Sequence, residues 1–191
     1  MVDQPGKTLQ DLVKHVGRYR EEAFLFVREG LSYAAERLHG AESDAHRALQ
    51  QYLLQHDLDW NDLIAQYHTG HLPELLVDAI DAAGGVDKLN RHIGGRELCW
   101  ALRDFALTRW GILARTVLDS WSIRSTRDFG CIVFGFIDFD MMRKQEGDSI
   151  DDFNDIYSFE EAFDEPFRLG LRDVDPKEDA DETETDDESD S

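Results

Sequence analysis

The chain has 191 residues, 41% hydrophobic and 32% charged, with a formal net charge of −21 at pH 7. That length supports one domain, or one domain with a small helical subdomain, and about 170 ordered residues bury roughly 70% of their unfolded surface without needing staples. The acidity disfavours general nucleic-acid binding, which depends on cationic neutralisation of phosphate. No stretch approaches the roughly 18 apolar residues of a membrane span, and the first twenty residues lack an apolar export region. Neither export nor membrane insertion is expected. Cys99 and Cys131 sit among apolar neighbours and read as reduced core thiols, which makes the cytoplasm the expected compartment.

The first clear element is "EEAFLFVREGLSYAAERLHG", with Phe24, Val27, Leu31 and Leu38 at three-to-four spacing, Glu21 and Glu22 in the first turn and Gly40 at the end. These are the marks of an amphipathic helix with charge-compensated ends. Ser43 can cap a second helix, "DAHRALQQYLLQH". Asp59 opens "WNDLIAQYH", and Pro73 enters "PELLVDAIDAA" before Gly84 and Gly85. Three short helices in so little chain predict a helical insert over 43–90 within an N-terminal region of 1–90. From Glu97, "RELCWALRDFALTRWG" and "ILARTVLDSWSI" read as two further helices. Ser125 or Thr126 can cap a third, "RDFGCIVFGFIDF", whose length favours helix over its β-forming side chains.

After it come the short runs 141–145 and 153–159, each of strand length, joined by the acidic "EGDSIDDFND". Three helices and a hairpin give the order of a winged-helix unit. The expected fold is therefore mainly α with a small β-hairpin, residues 91–172 forming the winged-helix-like unit behind a helical N-terminal region. A short helix, "FEEAFDEPF", precedes residues 173–191, which hold 11 acidic residues against one Lys. Such a tail cannot offset its ordering entropy by burial, and disorder is expected. Charge is split along the chain: 88–127 carries eight Lys or Arg against three acids, whereas 138–165 has a net charge of −9.

Several segments together resemble an uncharacterised conserved bacterial family, described as a hypothetical protein family of Planctomycetes and Verrucomicrobia. They are "EEAFLFVREGLSYAAERL", Arg91-His92-Ile93 with Gly95, Glu97 and Leu98, "LARTVLDSW" with Ile123, "DFGCIVF" and "DDFNDIYSFEEAF". The resemblance covers roughly residues 18–38 and 91–165. It implies a fold unit but no reaction, since the family has none assigned. Gly94 stands where that family has Ser or Thr, and the stretch 40–90 is longer than its linker.

Catalytic motifs are lacking: there is no Gly-x-Ser-x-Gly elbow, phosphate loop or dinucleotide fingerprint, and the seven histidines make no zinc pattern. Cys99, near a helix N-terminus beside Arg96, reads as core rather than nucleophile. His92 reads as structural, and a catalytic role would need a partner that the sequence does not reveal. The weak contact set for a partner or anion is Arg91, His92, Arg96, Arg124 and Arg127. The acidic wing set is Glu146, Asp148, Asp151, Asp152 and Asp155, whose spacing fails the calcium-loop template. This loop reads first as a solvated turn, then as a partner-binding wing tip, and last as a metal loop. No cofactor is expected. The resulting reading is a non-enzymatic module that binds a protein partner, possibly a basic one, and carries an acidic tail. The alternative is a nucleic-acid-associated winged-helix regulator with the tail as internal competitor.

Overall fold

The computed structural model describes residues 8–167, and among them every regular element is helical. In chain order these are α1 (Leu9–Val16), α2 (Glu21–His39), α3 (Asp44–His56), α4 (Trp60–Thr69), α5 (Glu74–Ala82), α6 (Gly95–Trp110), α7 (Ala114–Ser120) and α8 (Thr126–Asp138). Short 3₁₀ turns occupy Val86–Leu89, Gly111–Leu113 and Ile150–Phe153, and a π-helical turn covers Glu160–Asp164. The acidic tail, 173–191, lies outside the described residues.

Local chemistry sets the ends of these helices. Asp59 Oδ1 accepts the Asp62 N–H at 2.8 Å while Asp62 Oδ2 accepts the Asp59 N–H at 3.0 Å, so two end donors of α4 are satisfied reciprocally. Thr8 and Asp11 build the same box on α1. Ser43 Oγ accepts the His46 N–H at 3.2 Å at the head of α3. At α6, Gly94 offers no side-chain acceptor, and Glu97 supplies half a box by accepting the Gly94 N–H at 3.2 Å.

Packing then sorts the helices into two hydrophobic clusters. The larger joins α1 and α2 to α6, α7, α8 and the two C-terminal turns, with Phe24, Phe26, Leu102, Leu118, Phe129, Ile132 and Phe163 all buried. Phe26 is its aromatic hub, within ring contact of Phe105, Trp110, Trp121 and Phe129. Gly30 lets α2 approach α6 closely, because a Cβ there would lie 2.2 Å from a Leu102 methyl carbon. The smaller cluster gathers Leu49, Leu63, Leu72, Leu76, Ile80, Val86 and Leu89 from α3, α4, α5 and the connections on either side of α5.

The β-hairpin expected over 141–159 is absent, and with it the wing: no strand occurs among the described residues. Two causes are visible. First, side chains of the acidic stretch satisfy backbone N–H groups locally, the Gln145 N–H donating to Asp148 Oδ2 at 2.8 Å and the Ser149 N–H to Asp152 Oδ2 at 2.8 Å. Such turn-forming bonds compete with a strand ladder. Left-handed backbone at Asp140, Gly147 and Asp155 interrupts extension at both ends. Second, Phe153 is 4% exposed and lies in a recess between Gly95 of α6 and Gly130 of α8, where a Cβ on either glycine would approach its ring to within 2.7 and 2.8 Å. The middle of the acidic stretch is thus a 3₁₀ plug driven into the helical core, and the winged-helix assignment falls with the hairpin.

Candidate functional site

Most of the arginines between 91 and 127 are held by internal contacts. Arg91 donates to the carbonyl oxygens of Ala35, Gly40 and Ala41 at 3.1, 2.7 and 3.3 Å, neutralising the C-terminal end of α2. Arg103 donates to the Ala162 carbonyl and pairs with Asp104. Arg109 pairs with Glu29, and Arg115 with Asp164. Arg127 donates to Asn154 Oδ1 at 2.5 Å and lies 3.7 Å from Asp151. Arg96 and Arg124 are exposed, and their side chains have no partner among the described residues.

The acidic loop is correspondingly tied to its surroundings. His92 Nε2 meets Asp148 Oδ1 at 3.0 Å, and its backbone oxygen lies 3.2 Å from His39 Nε2. Glu146 accepts from Asn61 Nδ2 at 3.3 Å across to α4, and Asp151 accepts from Asn154 Nδ2 at 2.9 Å. Asp152 caps the Ile150–Phe153 turn, whereas Asp155 stays exposed with left-handed backbone. Two members of the basic set, His92 and Arg127, are therefore brought onto the acidic loop, and Arg91 is directed elsewhere. No group of three or more His, Cys, Asp or Glu side chains that could hold a metal occurs among the described residues.

Between the two clusters lies a cleft of about 820 Å³. Its walls come from α2 and α8 on one side and α3 and α4 on the other, and the segment Asn90–Ile93 and the acidic loop complete it. Leu31, Leu98, Val133, Phe134 and Leu53 make the lining largely apolar. At the edge, Arg143 joins the regions by donating to Leu58 O and Asp57 Oδ1, each at 2.6 Å. The volume falls within the roughly 300–1,000 Å³ of small-molecule sites.

A second polar centre, not singled out in the sequence, is Asp128 in the first turn of α8. It is 2% exposed. Its Oδ2 accepts the N–H groups of Arg124 and Ser125 at 2.9 and 3.0 Å, and its Oδ1 accepts the Tyr19 hydroxyl at 2.8 Å and meets Arg18 at 2.7 Å. Burial and the adjoining carboxylate push the Tyr19 phenol well above its ordinary value. The arrangement is structural: it fixes the α1–α2 junction to the head of α8. Cys99 is fully buried, and burial pushes its thiol up to about 12, leaving a protonated core side chain.

No family model, curated protein or solved structure matches the chain, so its function is read from its own chemistry. No helix among the described residues is long and apolar enough to cross a membrane.

Proposed function

We propose that the protein is a non-enzymatic interaction module that recognises a basic protein segment through residues 138–165. One observation carries this reading. Nine of the eleven carboxylates of that segment are exposed, while five of the seven arginines between 91 and 127 are engaged internally. The exposed field over this segment is negative, which favours a cationic partner and repels phosphate. The tail adds eleven further acids to the chain and strengthens long-range attraction for the same kind of partner.

The test is anisotropy of a labelled arginine- and lysine-rich peptide titrated with the full chain, beside a labelled DNA duplex. Peptide binding that weakens with salt, without duplex binding, is the expected result. Combined Glu146→Gln, Asp151→Asn and Asp155→Asn should weaken peptide binding several-fold more than Glu74→Gln, Asp78→Asn and Asp87→Asn, which remove the same charge from the smaller cluster. Equal losses in the two variants would remove the assignment to 138–165. Tighter binding to the duplex would remove the protein-partner reading itself.

A further inference from the structure

Leu54 of α3 is 70% exposed and lines the cleft between the two clusters. Leu31 on α2, Phe134 and Ile137 on α8, and Leu53 and Leu58 on and after α3 belong to the same lining and are each only partly buried. An apolar recess left open to water is the mark of a surface that a partner covers. The charges of the lining are unequal: Glu36, Glu42, Asp59, Asp148 and Asp152 stand against three Lys or Arg. Those three cations are engaged within the chain. Arg91 donates to the carbonyls at the end of α2, Arg143 to Asp57 and the Leu58 carbonyl, and the Lys144 ammonium lies over the Phe134 ring, 5.8 Å from its centroid. Among the acids, Asp148 meets His92, whereas Asp59 and Asp152 accept backbone N–H groups. Glu42 lies 3.7 Å from His46, whose burial favours the neutral ring, and Glu36 is exposed with no side-chain partner among the described residues.

We propose that the cleft seats the apolar side chains of the basic partner segment, which is therefore a peptide with apolar anchors interspersed among Lys or Arg. The inference deepens the basic-partner reading and rests on it. Anchors lie on Leu31, Leu54 and Phe134, and the cations that flank them meet Glu36 and Glu42, two carboxylates with no cation of their own. An anionic amphiphile would meet a lining of net negative charge whose cations are already engaged. Met142, Gln145, Asp148 and Phe153 come from the acidic segment and also line the cleft, so the recess is continuous with the surface assigned to the partner. Charge brings the partner to that surface, and the recess selects among basic segments by their apolar side chains.

The experiment uses the full chain and two labelled peptides of equal length and equal Lys and Arg content. One carries two leucines and a phenylalanine among its cations, and the other has serine at those three positions. By anisotropy the anchored peptide should bind about tenfold more tightly, and the ratio should persist as added salt weakens both. Leu54→Gln should weaken the anchored peptide about threefold to fivefold and leave the serine peptide unchanged. Leu75→Gln, at a leucine of α5 that is 80% exposed and outside the cleft, should change neither. Both leucines are mostly exposed, so the two variants keep the fold. Equal binding of the two peptides, or equal losses in the two variants, would overturn the inference and leave the basic-partner reading standing. Binding of neither peptide would overturn both. Displacement of the anchored peptide by decanoate more readily than by decylammonium would overturn the cationic occupant. Self-association of the free chain that Leu54→Gln abolishes would overturn it in favour of a second copy.

Discussion

The two hydrophobic clusters differ in kind as well as size. The larger is aromatic and is assembled from both ends of the chain: α1 and α2 pack on helices that follow them by some 60 to 120 residues, and the buried Asp128 links Tyr19 across 109 positions. The smaller is aliphatic, its buried set confined to the continuous stretch 43–90. Its side-chain ties to the rest include Arg143 to Asp57 and Leu58, and Asn61 to Glu146. A segment this short, which contains no cysteine, buries little apolar surface and is marginal alone. The contrast yields an architectural rule for this molecule: α2, α6 and α8 form the scaffold, and 43–90 forms a separately stabilised wall that closes the cleft.

Substitutions inside the scaffold should have the largest effects. Asp128→Ala leaves the Tyr19 hydroxyl and two backbone N–H groups without their acceptor, and a loss of about 3–5 kcal/mol is expected by denaturant unfolding. A loss under 1 kcal/mol would mean that the junction is held by packing alone. Phe153→Ala empties the recess between Gly95 and Gly130 and should cost about 3 kcal/mol. Gly130→Ala tests the same recess from the opposite side. A helix-interior Gly→Ala change ordinarily stabilises by about 1 kcal/mol, but here the new methyl meets Phe153, so a net loss of about 1–3 kcal/mol is expected. In a Phe153→Ala background that loss should shrink, which a double-mutant cycle measures directly.

The smallest effect belongs to the wall. His46 has a folded-state pKa below its unfolded value of 6.5, with burial as the main cause. The unfolded chain therefore takes up the proton first, and this contribution to stability is complete above about pH 6.5 and is lost as pH falls through the folded value. In His46→Leu, the part of the pH dependence of unfolding below pH 6.5 that comes from this residue should vanish. An unchanged slope would place the titration elsewhere.

Much of the helical skeleton was legible because its signals are local. Glu21, Glu22 and Gly40 bound α2, Ser43 and Asp59 cap α3 and α4, and the length of the Ile132–Ile137 run outweighed its β-forming residues. The Thr8–Asp11 box also announces α1 in the sequence. The hairpin failed because 141–145 and 153–159 have strand-like composition, whereas their conformation is set by Asp side chains bonding backbone nearby and by two glycines on distant helices. The candidate site was legible in composition more than in geometry. Arg127 and His92 do reach the acidic loop, but Arg91 acts as a helix cap, a role that only the position of the α2 carbonyls reveals.

The division into scaffold and wall is tested most directly by native-state amide hydrogen exchange on the full chain across a denaturant series. Amides of α3, α4 and α5 should open together at a lower free energy than those of α2, α6 and α8, in a step that precedes global unfolding. A single shared opening free energy for all six helices would contradict it.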